Sequence, residues 1–355
     1  MTTFKEIVLA GLRQEASDIH MTYGLPPIFR VDGVLSAFGE ERLDDAYITN
    51  VLGQLATAAQ MKEMEEVGEI DFAVTYDGTI RMRCNAFYQQ NHVAIALRLL
   101  PLKVPTVQDL ELAPVIVEQS EKPRGLVLLT GPTGSGKSST LAALLDHINH
   151  TSRRHIITLE NPIEFLHEHD LCMINQREVG DDTDSFAAGL RAALRQDPDV
   201  ILVGEMRDLE TISTAITAAE TGHLVFGTLH TKGAANTIDR IIDIFPPNQQ
   251  QQIRVQLSMQ LQTVISQQLV PSVEGDVVPV FEIMHVNPAI RNLIRESKSH
   301  QIETIIGMSA GEGMITMDNS LFALYQEGKI TAETALHHSL HPDLMEKRLR
   351  QPKGR

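Results

Sequence analysis

The spacing of apolar residues changes near Leu110, and the two parts of the chain predict different architectures. Before that point, apolar residues recur at helical spacing over 4–12 and again over 43–67. Short apolar or alternating runs between and after these stretches predict β-strands. The predicted strands are 19–23, 27–31, 34–38, 72–76, 80–88 and 92–99. Asp-Gly pairs at 32–33 and 77–78 are typical of hairpin turns, so this part predicts a small α+β domain.

After Leu110 the pattern becomes an alternation of strands and helices, which predicts a parallel sheet covered by helices on both faces. The predicted strands are 126–129, 155–159, 200–203 and 224–229. In such a sheet the carboxyl ends of the strands open onto one crevice, where ligands bind. We therefore predict an α/β domain over 114–355, joined to the domain over 1–100 by a proline-containing linker over 101–113.

A glycine-rich loop lies between the first of these strands and the helix that follows it. Its sequence, Gly-Pro-Thr-Gly-Ser-Gly-Lys-Ser at 131–138, fits the phosphate-binding pattern G-x-x-x-x-G-K-[ST]. Lys137 would neutralise the β- and γ-phosphates of ATP, and the Ser138 hydroxyl would bind Mg²⁺. The alternative is a glycine-rich turn with a solvated lysine, and the flanking strand and helix argue against it. The predicted nucleotide-binding residues are Gly131, Pro132, Thr133, Gly134, Ser135, Gly136, Lys137, Ser138 and Ser139.

Polar side chains follow the other three predicted strands of this sheet. Glu205 follows the third, at a position where nucleotide hydrolases place a carboxylate beside the metal or the attacking water. Glu160 and Glu164 follow the second strand, and His230 follows the fourth. Taken singly, each is better interpreted as a solvated acid or a structural histidine. Beside a phosphate loop, however, all of them would open onto the same crevice.

Three arginines, Arg81, Arg83 and Arg98, lie at strand positions of the N-terminal domain. The two-residue period of a strand puts Arg81 and Arg83 on the same face. On spacing alone, we interpret them as part of a solvated sheet face with opposite charges nearby. The alternative is that they reach a phosphate bound elsewhere, as arginine fingers do.

Composition narrows the possible functions. With 43% hydrophobic residues the chain is typical of a globular protein, and its net charge of −16 argues against non-specific nucleic-acid binding. We interpret the short basic stretch 347–355 as a solvated tail. Cys84 and Cys172 belong to no C-x-x-C pair, which predicts reduced thiols in a cytosolic protein and no thiolate zinc site. We find neither a signal sequence nor an apolar run of about 18 residues, so we expect no transmembrane segment.

Seven motifs together resemble those of the PilT-type twitching-motility retraction ATPases, members of the secretion ATPase superfamily. They are GPTGSGKSS at 131–139, ITLENPIEF at 157–165, DPDVILVGEMRD at 197–208, TGHLVFGTLHT at 221–231, ASDIH at 16–20, RMRCNAF at 81–87 and AIRNLIRE at 289–296. The last is similar to a segment that marks retraction motors. The four-cysteine zinc module usual in extension and type II secretion relatives is missing from this sequence.

The resemblance implies a RecA-like P-loop NTPase motor domain preceded by a small α+β PAS-like domain. Such chains would form a hexameric ring, peripheral to the cytoplasmic face of the inner membrane, that hydrolyses ATP to retract a type IV pilus. The implied partners are an inner-membrane pilus platform protein and a second retraction ATPase. ATP would lie between domains.

The resemblance also implies roles for individual residues. Glu205 would be the Walker B acid and would share Mg²⁺ with Ser138, while Glu164 would position the attacking water. The residues implied to sense or reach the phosphates are His223, His230, Arg81, Arg83 and Arg98. This assignment of the arginines reverses the preference drawn from spacing.

One position departs from the family pattern. Asn161 stands where the acidic box of the family has Asp, while Glu160 and Glu164 remain. An amide contributes no carboxylate charge to Mg²⁺, so we expect ATPase activity that is reduced and dependent on a partner motor. Alternatives to a retraction motor are an auxiliary or secretion ATPase of the same superfamily and an ATP-gated interaction protein with little turnover. A RecA-like DNA motor is disfavoured by the net charge.

Overall fold

The computed structural model describes residues 2–31, 33–78, 80–100 and 103–350. The chain forms two compact units, a first unit of Met1–Val104 with Pro162–Leu166 and a second unit of Pro105–Asn161 with His167–Arg355. Three predicted features lie wholly or partly outside the described residues. They are Asp32 of one hairpin turn, residues 101–102 of the linker and residues 351–355 of the basic tail.

The first unit is α+β, as predicted. Its elements are α1 (Phe4–Arg13), β1 (Asp18–Met21), β2 (Ile28–Val31), β3 (Val34–Ala37), α2 (Asp45–Leu55), α3 (Ala58–Val67), β4 (Glu69–Tyr76), β5 (Ile80–Gln89) and β6 (His92–Leu99). The strands form an antiparallel sheet in the order β3-β2-β1-β6-β5-β4. One apolar cluster joins Ile95 of β6 to Ile7 of α1 and Leu52 of α2. The predicted turn at Asp77 and Gly78 is confirmed, since both residues have positive φ.

The helical spacing predicted over 43–67 is confirmed, but it is shared by two helices, α2 and α3. Thr57 has extended backbone and accepts a hydrogen bond from the Gln60 N–H, while the Gln60 side chain accepts one from the Thr57 N–H. This reciprocal capping box starts a new helix. Helical apolar spacing on both sides of Thr57 hides the break.

The second unit is built on a sheet with parallel strands at its centre. Its elements up to residue 285 are α4 (Pro114–Val117), a 3₁₀ helix (Glu118–Glu121), β7 (Gly125–Thr130), α5 (Lys137–Thr151), β8 (His155–Glu160), β9 (Met173–Glu178), α6 (Phe186–Ala193), β10 (Val200–Val203), α7 (Leu209–Glu220), β11 (Leu224–Leu229), α8 (Ala234–Asp243), α9 (Pro247–Gln260), β12 (Leu261–Pro271) and β13 (Val277–His285). The order is β13-β12-β7-β11-β10-β8-β9, and only the β12–β13 pair of the described sheet is antiparallel.

Helices cover both faces of this sheet, as predicted. Successive residues of β7 enter different apolar clusters: Leu128 lies in the one that contains Ile216 of α7, and Leu129 in the one that contains Leu144 of α5. Each such fully buried leucine contributes about 2 kcal/mol of transfer free energy. The four predicted strands correspond to β7, β8, β10 and β11. We did not predict β9, β12 and β13, because polar residues interrupt the apolar pattern in β9 and β12.

The chain after β13 is helical. Its elements are α10 (Pro288–Arg295), a 3₁₀ helix (Ser299–Gln301), α11 (Ile302–Met308), a second 3₁₀ helix (Ala310–Glu312), α12 (Met317–Gln326), α13 (Ala332–His338) and α14 (Pro342–Leu349). Leu321 of α12 and Met345 of α14 share an apolar cluster with Val270 of β12 and Val280 of β13. The last three helices therefore pack on the two antiparallel strands. Within the described part of the chain, we find no helix with the length and apolar character needed to span a membrane.

Candidate nucleotide-binding site

The loop between β7 and α5 has a backbone geometry that requires glycine. Gly131 has a φ of 143°, and a Cβ at this position would lie 2.1 Å from the backbone oxygen of Gln267 on β12. Gly136 has a φ of 84° and is the N-cap of α5. The chain can therefore turn directly from a buried strand into a helix, and the N–H groups of the first helical turn remain available to an anion.

Lys137, the first residue of α5, folds its side chain back over this loop. The residue is 8% exposed, and its Nζ donates hydrogen bonds of 2.8 Å to the carbonyl oxygens of Gly131 and Pro132. Ser135 Oγ is buried, with no hydrogen-bond partner among the described residues. An ammonium, a buried hydroxyl and a helix N-terminus are the donors that a phosphate requires, so the loop fits this group. The remaining predicted loop residues are exposed or half-buried: Thr133, Gly134, Ser138 and Ser139.

Glu205 and His230 lie together at the carboxyl ends of the neighbouring strands β10 and β11. His230 Nε2 is 2.9 Å from Glu205 Oε1, and the same oxygen accepts a hydrogen bond from Arg207 Nε. The Thr228 hydroxyl donates to the carbonyl oxygen of Gly204 and so links the two strand ends. Only 18% of the Glu205 side chain is exposed. The parallel sheet thus brings an acid and a histidine to the edge at which β7 enters the phosphate loop.

His223 belongs to the same sequence motif as His230, but the structure does not place it at this edge. It precedes β11, and its Nδ1 lies 2.9 Å from the carbonyl oxygen of Ala218 and 3.2 Å from the hydroxyl of Thr221. These atoms belong to the carboxyl end of α7. The whole length of β11 separates the two histidines, about 20 Å at 3.3 Å per residue. His223 therefore does not reach the phosphate loop of its own second unit, and the geometry gives the predicted sensing role no support there.

Glu160 ends β8 beside the Glu205 strand and is held by neighbouring polar side chains. Its Oε1 accepts hydrogen bonds from Thr158 Oγ1 at 2.6 Å and from Gln176 Nε2 at 3.2 Å. Gln176 lies on β9 and also accepts a hydrogen bond from the His167 N–H. Sequence reasoning missed Gln176, because it is one polar residue among several in an unpredicted edge strand. Asn161 follows Glu160 directly and is exposed.

A second missed residue is Gln267, which packs behind the phosphate loop. It is 3% exposed, and its side-chain oxygen accepts a 2.9 Å hydrogen bond from the Thr140 hydroxyl. The only signal in the sequence is a Gln-Gln pair inside an apolar strand. Gln267 and Thr140 also line a cavity of about 620 Å³ in the second unit. Among its other lining residues are Leu110, Leu112, Gly136, Ser139, Leu269, Pro279 and Phe281.

The three predicted arginines and Glu164 belong to the first unit. Arg83 makes a two-point ion pair with Asp71, and Arg98 Nε donates to Asp18 Oδ1 at 3.0 Å. Burial raises the pKa of Asp18, but hydrogen bonds from Ser17 and Arg98 lower it by more. Both arginines thus pair with acids of their own sheet, as the interpretation drawn from spacing expects.

Arg81 and Glu164 are the other two predicted site residues of the first unit. Arg81 Nη1 donates to the Thr75 hydroxyl at 3.2 Å, and its Nη2 donates to the carbonyl oxygen of Ile163 at 3.4 Å. Glu164 is half-buried in the segment Pro162–Leu166. The structure therefore assembles Lys137, Glu205 and His230 in one unit, and the arginines with Glu164 in the other.

Comparison with known proteins identifies the family. The type II/IV secretion system protein family matches residues 2–278 of this chain. The chain is 48% identical over 338 residues to the type IV pilus retraction ATPase PilT of Pseudomonas aeruginosa, across 95% of this chain and 98% of that protein. The protein belongs to this family and is a PilT-type ATPase. It is also 45% identical over 320 residues to a twitching motility protein of Neisseria gonorrhoeae, across 90% of this chain and 86% of the relative.

The fold agrees with this assignment. A crystal structure of the pilus retraction motor PilT with bound ADP matches the PilT-type ATPase with a TM-score of 0.92 and 46% identity, across 98% of this chain and 100% of the other. The predicted RecA-like motor domain with a preceding N-terminal domain is therefore confirmed as a fold class. The resemblance inferred from the seven motifs is confirmed as well.

Proposed function

We propose that this PilT-type ATPase hydrolyses ATP as a hexameric ring to drive retraction of a type IV pilus. One observation carries the proposal: the phosphate loop, Glu205 and His230 share one sheet edge in a chain that matches PilT along 95% of its length. By the same similarity, we place the ring at the cytoplasmic face of the inner membrane. Its proposed partners are a pilus platform protein and a second retraction ATPase.

In this proposal the described residues bind MgATP in a defined way. Lys137 would exchange its two loop carbonyls for phosphate oxygens, and the exposed Ser138 hydroxyl and Glu205 would bind Mg²⁺. No group of three or more His, Cys, Asp or Glu side chains in the described residues is arranged to hold a metal ion. Mg²⁺ binds through few protein ligands together with substrate phosphates and water, and it would neutralise phosphate charge here.

We assign the 620 Å³ cavity beside Gly136 and Thr140 to the nucleoside part of ATP. The cavity begins next to the loop that binds the phosphates, and Leu112, Leu269 and Phe281 supply the apolar walls typical of a base-binding pocket. The loop offers charged donors for the phosphates, and the adjoining cavity offers apolar walls for the base. Together they could receive a whole nucleotide.

The site roles in the first unit are part of the same proposal. We propose that Arg81, Arg83 and Arg98 bind nucleotide phosphate, for which Arg83 and Arg98 would exchange their aspartate partners for phosphate oxygens. Glu164 orients the attacking water, assisted by Glu160. We further propose a domain division of 1–100, a linker over 101–113 and a motor domain over 114–355.

We base the choice of retraction over extension on the segment at 289–296, which is similar in sequence to a segment of retraction motors. It folds as α10, in which Ile290 and Ile294 are buried and Arg291 Nε donates to the carbonyl oxygen of Ser258 at 2.9 Å. Asn292 and Arg295 remain exposed. The helix is thus anchored to α9 by one face and presents the other to solvent.

Two measurements test the proposal. Purified protein should hydrolyse ATP, and Glu205→Ala should abolish turnover while ATP still binds. Deleting the gene should leave excess pili that do not retract. A parent protein that binds ATP without turnover would support a nucleotide-gated interaction protein instead, and a deletion strain without pili would indicate an extension motor.

Asn161 favours a second candidate, an auxiliary retraction ATPase with reduced turnover. The amide stands directly after Glu160 at the end of β8 and adds no negative charge for Mg²⁺. Asn161→Asp should then raise the rate of hydrolysis. An unchanged rate would exclude this explanation for an auxiliary role.

A further inference from the structure

A buried carboxylate two strands from the end of β7 joins two helices. Glu282, on β13, is 3% exposed. Its Oε1 accepts a 2.7 Å hydrogen bond from the Ala234 N–H, and its Oε2 accepts a 3.2 Å hydrogen bond from the Met317 N–H. Beside it on β12, Ser266 Oγ accepts a 3.0 Å hydrogen bond from the Gly233 N–H. Two consecutive N–H groups, those of Gly233 and Ala234, are thus held by side chains of β12 and β13.

Both donors are the first residues of helices. Ala234 begins α8, whose N-cap is Gly233 and so has no side chain to cap the helix. Met317 begins α12. Glu282, although distant in the sequence, therefore caps the N-terminus of α8 as an N-cap side chain would. The positive ends of both helix dipoles stabilise its negative charge.

Burying a carboxylate costs desolvation free energy, so an uncharged side chain of similar size would be more favourable if packing were its only role. Burial raises the pKa of Glu282, and the negative charges of Glu303 and Asp318 raise it further, against the two backbone N–H groups that lower it. The two N–H donors bond to different oxygens of Glu282, and a glutamine side chain has only one acceptor oxygen. A glutamine of the same shape would turn an N–H group toward one of the two donors.

The position of Ala234 matters because His230 precedes it by only four residues. His230 Nε2 lies 2.9 Å from Glu205 Oε1, and Thr231 in the same loop bonds to Thr237 of α8 at 2.7 Å between hydroxyl oxygens. The loop is therefore fixed at one end by β11 and at the other by the start of α8. With only three residues between His230 and Ala234, a shift of α8 would alter the distance between His230 and Glu205.

We propose that Glu282 is a positioning residue for His230, through which the C-terminal helices control the hydrolysis site. This inference rests on the proposed ATPase function. The role of the C-terminal helices in this proposal follows from α12. Its residue Asp318 accepts hydrogen bonds from the N–H groups of Leu340 and His341, at 2.7 and 3.1 Å. The carboxylate of Glu282 thus links the start of α8, four residues after His230, to the start of α12. Asp318 of α12 in turn links that helix to the start of α14.

The test compares Glu282→Gln with wild type and with the exposed control Glu327→Gln on the same C-terminal region. We expect E282Q to lower kcat at least about ten-fold, because a displaced catalytic group costs rate, with the KM for ATP changed less than about two-fold. E327Q should match wild type. A decisive readout is the double variant: E282Q added to His230→Gln should cause no further loss under single-turnover conditions.

Several outcomes would overturn the proposal. They are an E282Q effect on KM alone, an effect that multiplies with that of H230Q, or wild-type kcat in a folded E282Q protein. If E282Q does not fold, Ser266→Ala removes the acceptor for Gly233 instead and should give a smaller kcat loss, again absent in the H230Q background.

Hydrogen exchange separates this inference from the ATPase proposal. In E282Q, amides of the peptides over 230–238 and 316–322 should exchange faster together, and those of α5 should not. Wild-type protein without turnover would refute the proposed function but leave this readout intact. Unchanged exchange in either peptide would refute the linkage by Glu282.

Discussion

The carboxyl edge of the second-unit sheet and the arginine-bearing face of the first-unit sheet both gather charged side chains, but they hold them differently. Lys137 is 8% exposed and bonded to two backbone carbonyls, whose positions the strand and loop fix. The Arg83 side chain is 42% exposed and bonded to the side chain of Asp71. The first arrangement is built into the backbone, whereas the second can exchange partners at little cost. A motor needs both: a rigid site and residues that change contacts.

Removing the charge of Lys137 should have the largest effect on ATP turnover. Lys137→Ala should lower ATP turnover at least about a hundred-fold, since electrostatic stabilisation of the phosphates is lost. Steady-state hydrolysis with a titration of ATP binding measures it, and the exposed Lys62→Ala serves as the matched control. Turnover in K137A close to that of wild type would remove the phosphate loop from the reaction.

The backbone of the loop should be nearly as sensitive. Gly131→Ala places a Cβ 2.1 Å from the backbone oxygen of Gln267, and we expect a loss of more than about 3 kcal/mol in the free energy of unfolding. Gly134→Ala is the matched control, because its φ of 76° is strained but no atom lies within 4 Å of the added Cβ. It should cost about 1 kcal/mol. Equal losses in urea unfolding of the two variants would mean that the close approach of β12 is unimportant.

Burial of the His167 imidazole in the second unit predicts that stability depends on pH. Burial lowers the pKa of His167 to about 4. The folded state thus resists protonation, so the stabilising contribution is complete above the unfolded pKa of 6.5 and is lost as the pH falls from there towards 4. The loss should approach about 3 kcal/mol. His167→Asn should flatten the stability profile in this window, while His300→Asn, at an exposed position, should leave it as in wild type.

The exposed pairs of the first unit should have the smallest effect on stability. Arg83→Ala and Asp71→Ala should each change the free energy of unfolding by less than about 1 kcal/mol, because exposed ion pairs contribute little. If Arg83 binds phosphate, R83A should lower turnover and D71A should not. Equal turnover of the two variants would restore the interpretation of a solvated sheet face, and a large stability loss in either would break the contrast between the two regions.

Local chemistry made much of the fold predictable. The strand β7, the glycine-rich turn and α5 follow from contiguous residues, as do the central parallel strands with their terminal acids and the turn at Asp77. Where a feature depends on neighbours within a few residues, the sequence carries the whole signal. The break at Thr57 was of this kind, and the Thr-x-x-Gln pattern could have revealed it.

By itself, then, the sequence determined that this protein has a phosphate loop, an acid at Glu205 and the motifs of a PilT-type ATPase. Only the tertiary structure decided which residues meet. It placed Gln267 behind Gly131, Gln176 on Glu160 and Glu282 between two helices, and it separated His223 from His230 by a strand length. The physical reason is that these contacts join residues far apart in the chain, whose proximity depends on strand order and register rather than on local preference.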